Sequence, residues 1–292
     1  MGLDRTRLHA PPRDVHPLVT AQMMLGGPLS QVGWLIFGFG SIFFWMFAWK
    51  ADVTGWRFRD AATARVRGDA LECRDTKYYV GGSRGSRGTP VYANRYRYAI
   101  NGEPFTGVSY ATGECVSGAR VMVEYLRTQP GFSRIVGMRR GLLSPWALLA
   151  AVFPAAGLWS VIAGLRTGAL RAYLLREGLA VPGRLAGKEM TNTTVNGKRL
   201  YRVFVDYAAH DGRTYRAVVK TTMPQRLEDD ARESVLYDPA RPDRAVPIDA
   251  LPGTLEMDDL GNFETSGAKG FLILPVLAIL CNAVFIVRNL TR

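Results

Sequence analysis

Three long stretches without a charged side chain constrain this sequence more than any other feature: 32–49 (VGWLIFGFGSIFFWMFAW), 142–165 (LLSPWALLAAVFPAAGLWSVIAGL) and 270–287 (GFLILPVLAILCNAVFIV). A helix rises about 1.5 Å per residue, so a run of this length reaches about 27 Å, close to the hydrocarbon thickness of a bilayer. Basic residues bracket the runs, with Lys50 after the first, Arg139 and Arg140 before the second, Arg166 after it, and Lys269 and Arg288 around the third. Buried helices of soluble cores seldom run so far uncharged, and flanking cations suit a head-group layer. The sequence therefore reads as three transmembrane helices.

That reading divides the chain into an N-terminal tail at 1–31, spans at 32–49, 142–165 and 270–287, intervening segments at 50–141 and 166–269, and a C-terminal tail at 288–292. The second segment ends in an acidic linker. A charged opening and a long mixed stretch precede the first apolar run, which does not fit a cleaved signal peptide, so the first span is expected to stay as an anchor.

The net charge of +12 is regional: residues 51–141 carry fifteen Lys and Arg against eight Asp and Glu, and residues 166–269 carry sixteen against fifteen. Within fifteen residues of the spans, nine Lys and Arg fall on the side of the first segment and the C-terminal tail, and four on the other side. By the positive-inside rule the first segment and the C-terminus are expected in the cytoplasm and the second segment outside. Cys73 and Cys115 lie in the first segment and Cys281 in the third span, with spacing unlike a metal site. Pairing of the first two would need an oxidising compartment, against the charge count, so two free buried thiols are expected.

The two segments are copies of one plan. Gly68, Thr76, Val80 and Gly82 recur 115 positions later as Gly183, Thr191, Val195 and Gly197, and Tyr92 and Tyr98 recur at an offset of 109 as Tyr201 and Tyr207. Gly102 matches Gly212, and Tyr125 and Pro130 match Tyr237 and Pro242. The change of offset coincides with GGSRGSRGTP, an extra stretch in the first copy. In YANRYRYAI, Tyr92, Asn94, Tyr96, Tyr98 and Ile100 share one face and Arg95 and Arg97 the other. YRVFVDY does the same with Tyr201, Val203, Val205 and Tyr207 against Arg202 and Asp206. Period two marks strands. Asn101-Gly102 and Asp211-Gly212 then signal hairpins. With strands near 64–80 and 180–196, each copy is expected to hold about five antiparallel strands, enough for a small sandwich or partly open barrel.

In the second copy, LLREG at 174–178, GRLAGKEMTNTTVNGKRLYRVFVDY, DGRTY and VLYDPARPDRAV resemble the domain-of-unknown-function 3592 family of bacterial membrane proteins. Tyr237, Asp238, Pro239 and Pro242 carry the most specific part of that resemblance. In the first copy Tyr125-Leu126-Arg127 stands where the family has Tyr-Asp-Pro, and only Pro130 keeps the later proline. The resemblance covers about residues 174–252 and implies a membrane-tethered β domain in the bacterial inner membrane, with no catalytic residues to carry over.

No catalytic, cofactor-binding or metal-binding constellation is legible. Gly81-Gly82-Ser83-Arg84-Gly85 matches GxSxG but lacks the strand-to-helix setting of a nucleophile elbow. Of the three histidines, His210 sits beside a hairpin turn, and Asp206 and the cluster Glu228, Asp229 and Asp230 read as a strand's polar face and a solvated loop. Arg84 and Arg87, on a Gly- and Ser-rich loop, form the candidate contact to anionic lipid head groups. Nucleic acid ranks below lipid because stacking would need Tyr96 and Tyr98 on an exposed face. Ala147, Ala151 and Ala155, and again Ala156, Ser160 and Gly164, repeat at the spacing of close helix packing. Asn282, the strongly polar side chain within a span, is expected to bond to a neighbouring helix. These features favour a non-enzymatic membrane protein presenting β domains to an unidentified protein or envelope partner. A subunit of a membrane enzyme or transporter is the alternative.

Overall fold

Proline at the first turn and an uncharged interior start and carry the long helices, whereas alternating polarity builds the sheets. The computed structural model describes residues 8–60, 62–195, 197–228, 233–253, 255–257, 263–265 and 269–291. Two units divide the chain, Met1–Phe39 with Pro154–Arg292, and Gly40–Phe153. In chain order the elements are α1 (Pro17–Leu25), α2 (Pro28–Met46), the single turn α3 (Arg57–Asp60), β1 (Thr63–Val80), β2 (Thr89–Ile100), β3 (Glu103–Thr112), β4 (Arg120–Leu126) and β5 (Gln129–Ile135). There follow α4 (Val152–Glu177), β6 (Leu179–Val195), β7 (Lys198–Ala208), β8 (Thr214–Thr221), β9 (Glu233–Asp238), β10 (Arg241–Pro247), the short β11 (Leu255–Met257) and β12 (Phe263–Thr265), and α5 (Ile273–Leu290).

Three helical segments, Pro28–Lys50, Pro145–Glu177 and Lys269–Asn289, are long and apolar enough to cross a membrane. Their large side chains are turned outward: Phe39 is 64% exposed, Trp159 71% and Val284 65%. The described part of the N-terminal tail holds α1, with Val19 and Met23 fully buried. The second helix continues past 165 through Arg166, Arg171 and Arg176 to Glu177, because the residues after 165 are good helix formers and the stop arrives only at Gly178.

Within the first unit, α4 meets α2 along Gly157, Val161 and Gly164 and meets α1 at Gly168, all four buried. A β-carbon added at Gly157 would stand 2.3 Å from Phe37 N, at Gly164 2.7 Å from Ser30 N, and at Gly168 2.4 Å from Met24 Cα. Of the small residues singled out in the sequence, Gly164 and Ser160 lie at this contact, the latter against Gly33. Ala155 and Ala156 instead point outward, and Ala147 and Ala151 belong to a 3₁₀ stretch, Pro145–Ala151, whose tighter winding breaks the four-residue period. Asn282 Nδ2 donates to Ala278 O, one turn back in its own helix, at 2.9 Å. The stem of α4 is closed by Arg13, 5% exposed, which donates from Nη1 to the carbonyls of Leu175 and Gly178 at 3.0 and 2.9 Å. A cation on the last carbonyls complements the helix dipole. α1, the end of α4, Leu236, Ile248, Leu251 and Phe263 share one core.

Each copy is a five-stranded antiparallel sheet, ordered β3-β2-β1-β4-β5 and β10-β9-β6-β7-β8, so the strand order is the same. The equivalence extends to irregularities: β1 bulges between Ala70 and Glu72 and between Asp75 and Tyr79, and β6 between Leu185 and Gly187 and between Met190 and Thr194. The sequence matches make matching bonds. Gly68 faces Tyr98 in register and Gly183 faces Tyr207. Thr76 Oγ1 donates to Val91 O at 2.6 Å and Thr191 Oγ1 to Leu200 O at 2.7 Å. In the first copy the sheet curls until β3 and β5 bond, Ile135 N donating to Ser109 Oγ at 2.9 Å, and Tyr96 OH meets Ser133 Oγ across the interior at 2.8 Å. This is the partly open barrel rather than the sandwich.

The hairpins diverge locally. Asn101 (φ 50°) and Gly102 (φ 86°) make a two-residue turn, whereas in the second copy only Gly212 (φ 76°) takes positive φ and Ala209 N bonds to Arg213 O across a longer loop. One expectation is overturned: Cys73 and Cys115 are joined in a disulfide. Asn94, the register partner of Cys73 and fully buried, explains the approach. Its side chain donates to Glu114 O at 3.2 Å and accepts from Val116 N at 2.7 Å, pinning both neighbours of Cys115 over β1.

Candidate functional site

Because successive side chains on a strand alternate, the residues that form each core also fix what the outer face offers. In the first copy Tyr98 stacks between Phe105 and Tyr125, at centroid distances of 5.6 and 6.2 Å, and its hydroxyl donates to Pro130 O. In the second copy Tyr207 lies between Tyr215 and Tyr237, at 6.2 and 5.7 Å, and its hydroxyl donates to Pro242 O. Burial, with Asp243 nearby, pushes the Tyr207 phenol up to about 12.

These contacts account for the family-like motif. Tyr237 is 1% exposed and its hydroxyl accepts from His210 N at 3.1 Å. Asp238 Oδ1 accepts from Ala240 N at 2.9 Å, an Asx turn around Pro239, and the Pro242 carbonyl receives Tyr207. Asp238, Pro239 and Pro242 therefore build the β9–β10 turn, while Tyr237 fills the core of the sheet. In the first copy Leu126 replaces the aspartate and pairs directly with Gln129.

Other candidates are also engaged structurally. Asp206 holds Arg216 through two bonds, Nε to Oδ1 at 2.7 Å and Nη2 to Oδ2 at 3.0 Å, and this guanidinium lowers the carboxyl's pKa. Glu228 pairs with Lys188 at 2.6 Å, while Asp229 and Asp230 lie outside the described residues. Ser83 sits in an exposed turn bridged to Ser86, and Arg84 and Arg87 stand exposed on the same tip. Tyr96 and Tyr98 are 0% and 3% exposed, which removes the stacking platform that a nucleic-acid partner would need. Among the described residues no group of three His, Cys, Asp or Glu comes together to hold a metal ion.

An open cleft occurs at the same place in both copies. In the first, about 510 Å³, it lies over Gly68, Tyr98 and Ala99 and is lined by Arg67, Asp69, Arg97 and Arg120. In the second, about 360 Å³, the equivalent Tyr207 and Ala208 are lined by Pro182, Arg184 and Asp206. Three arginines against one aspartate make the first cleft basic, with Arg97 only 3.9 Å from Asp69. The second balances Arg184 against an aspartate already held by Arg216. Neither cleft was legible in the sequence, because each gathers residues from different strands.

A further missed residue is Asp52, 4% exposed. Burial raises its pKa, but hydrogen bonds from Thr54 and from the backbone at Gly141 and Arg140 outweigh it and leave the carboxyl below the usual range. Arg140 N donates to Oδ2 at 2.8 Å, and Ala51 bridges to Leu143, so Asp52 ties the entry of the first copy to its exit. Compared with known proteins, the chain matches no family model, no curated protein and no solved structure.

Proposed function

We propose that this is a bacterial inner-membrane protein in which three helices hold two copies of one β module for non-enzymatic recognition of protein or envelope partners. The observation that carries this reading is the pair of equivalent clefts lined with different charges, which fits one scaffold adapted to two partners. The outward apolar faces of the helices support the membrane setting: each fully exposed Leu, Ile or Phe in water forgoes about 1.5–3 kcal/mol of burial. The polar residues with the best claim to chemistry are taken up in turns and ion pairs, which favours recognition over catalysis. The resemblance of the second copy to a family of membrane-tethered β domains points the same way.

With one helix between the two modules in the chain, they belong to opposite sides of the membrane. The disulfide in the first copy favours an oxidising compartment for that module, hence the outside, and the cytoplasm for the second. This reverses the side suggested by the charge count. Several of the counted cations are folded into the module: Arg134 pairs with Glu124 at 3.0 Å and Arg140 lies 3.7 Å over the Phe132 ring. The segment also exceeds the loop length of roughly 60 residues over which that rule holds.

The test is photo-crosslinking from Ala99 and from its equivalent Ala208, both exposed, in native membranes. Specific adducts are expected at each position, those at Ala99 disappearing when Arg97 and Arg120 are changed to Glu. A chain that stays uncrosslinked at both positions overturns the proposal.

A further inference from the structure

Within the first unit, a cavity of about 340 Å³ opens between the start of α2, the C-terminal half of α4 and strands β8 and β10. Its polar wall is Ser30, Thr167, Arg171 and Lys220; its apolar wall includes Leu29, Leu170 and Val218. Among the described residues no Asp or Glu lines it. Pro28 opens α2 and has no N–H, and Gln31 N is the first amide to bond back, to Gly27 O at 3.0 Å. The amides of Leu29 and Ser30 therefore sit at the positive end of a nineteen-residue helix dipole. Ser30 is 1% exposed, and its Oγ has no hydrogen-bond partner among the described residues. Arg171 reaches in beside Gly27, where an added β-carbon would stand 3.2 Å from Nη1. It joins none of the ion pairs among the described residues.

A buried hydroxyl and two cations, with no bonding partner for the first and no lining acid for the others among the described residues, converge with a helix N-terminus on one place. Each favours the same chemistry, a tetrahedral oxyanion. The site lies at the polar ends of two helices read as spanning the membrane, and Leu29 and Val218 beside it are 49% and 54% exposed. We infer that this cavity binds the phosphoryl group of an anionic glycerophospholipid, its acyl chains running down the outward apolar faces of α2 and α4. The inference rests on the membrane reading of those helices. It is a different place from the Arg84 and Arg87 loop.

The test uses the full chain, delipidated in neutral detergent, with phosphatidylglycerol, phosphatidylcholine and inorganic phosphate as probes, read by native mass spectrometry and thermal shift. Phosphatidylglycerol should bind about tenfold tighter than phosphatidylcholine, the scale of one charge-assisted contact. Arg171→Gln and Lys220→Gln should each lose about that factor, and Ser30→Ala a smaller part of it. Arg171→Gln is checked by melting without lipid, and should it fail to fold, the exposed Lys220→Gln decides alone. Equal binding of the two lipids, or unchanged binding by the folded variants, overturns the assignment. Inorganic phosphate competing at the lipid's own affinity would make this a free-phosphate site and also overturn it. A chain soluble without detergent would defeat the membrane reading first, whereas loss of lipid discrimination in a detergent-dependent chain defeats only this inference.

Discussion

Replacing Gly157 with Ala pits two effects of opposite sign against each other. Helix propensity favours Ala over Gly by about 1 kcal/mol, so an unconstrained position would gain stability. Here the new β-carbon would stand 2.3 Å from Phe37 N, and at Gly168 2.4 Å from Met24 Cα. Contacts between heavy atoms settle at about 3.5–4.0 Å, so the helices must part by about 1 Å, which forfeits roughly a quarter to a half of each dispersion contact along the line. Overpacking of this kind costs about 1–3 kcal/mol, and these obstacles are backbone atoms that cannot swing aside. The clash should therefore win, leaving a net loss of about 1–2 kcal/mol and a melting temperature lower by about 2–8 °C. Gly164→Ala, at 2.7 Å, should show a smaller loss. Thermal melting in a mild detergent measures this, with Ala155→Leu and Ala156→Leu, on the outward face, as controls expected within about 0.5 kcal/mol of the parent. Higher melting temperatures for all three glycine variants would refute the packing argument and leave propensity as the only effect.

The disulfide closes a loop of 42 residues, which the chain-entropy model values at about 4 kcal/mol. Reductant should lower the melting of the parent chain to that of Cys73→Ser and leave the variant unmoved. Tyr207→Phe leaves the Pro242 carbonyl without its donor and should cost about 1–2 kcal/mol, as should Tyr98→Phe at Pro130. The Tyr207 phenol is pushed from 10.0 up to about 12, so the folded state keeps a proton that the unfolded state has lost. Its contribution is complete below pH 10 and is lost as pH rises toward 12. Melting curves from pH 9 to 12 should show that loss, reduced in Tyr207→Phe.

The repeat was legible because its matched residues serve the backbone: Thr76 and Thr191 bond to the same carbonyl position, and the paired tyrosines fill equivalent slots. Strand periodicity also read correctly, since one face of β2 and of β7 must be buried. What escaped depends on partners far apart in the chain. Asp52 meets Arg140 across 88 positions, and Arg13 meets Leu175 across 162, so no local pattern announces either. Cys115 reaches Cys73 through the intervening Asn94, and thiol spacing alone does not reveal that clamp. The four-residue spacing of Ala147 and Ala151 did not reveal that Pro145–Ala151 is wound as 3₁₀, because the winding is not written in the spacing of small residues. The clefts depend on register, which joins Gly68 to Tyr98 and Gly183 to Tyr207 only once the strands pair.

The proposed membrane reading, with one helix between the two modules in the chain, assigns them to opposite sides of a bilayer, and accessibility in intact cells tests that proposal most directly. Single cysteines would be placed at Ser83 and at Asp211, both exposed, in a Cys281→Ser background that keeps the disulfide. An impermeant maleimide should label position 83 in intact cells and position 211 only after lysis. Equal labelling of the two positions before lysis would contradict the account.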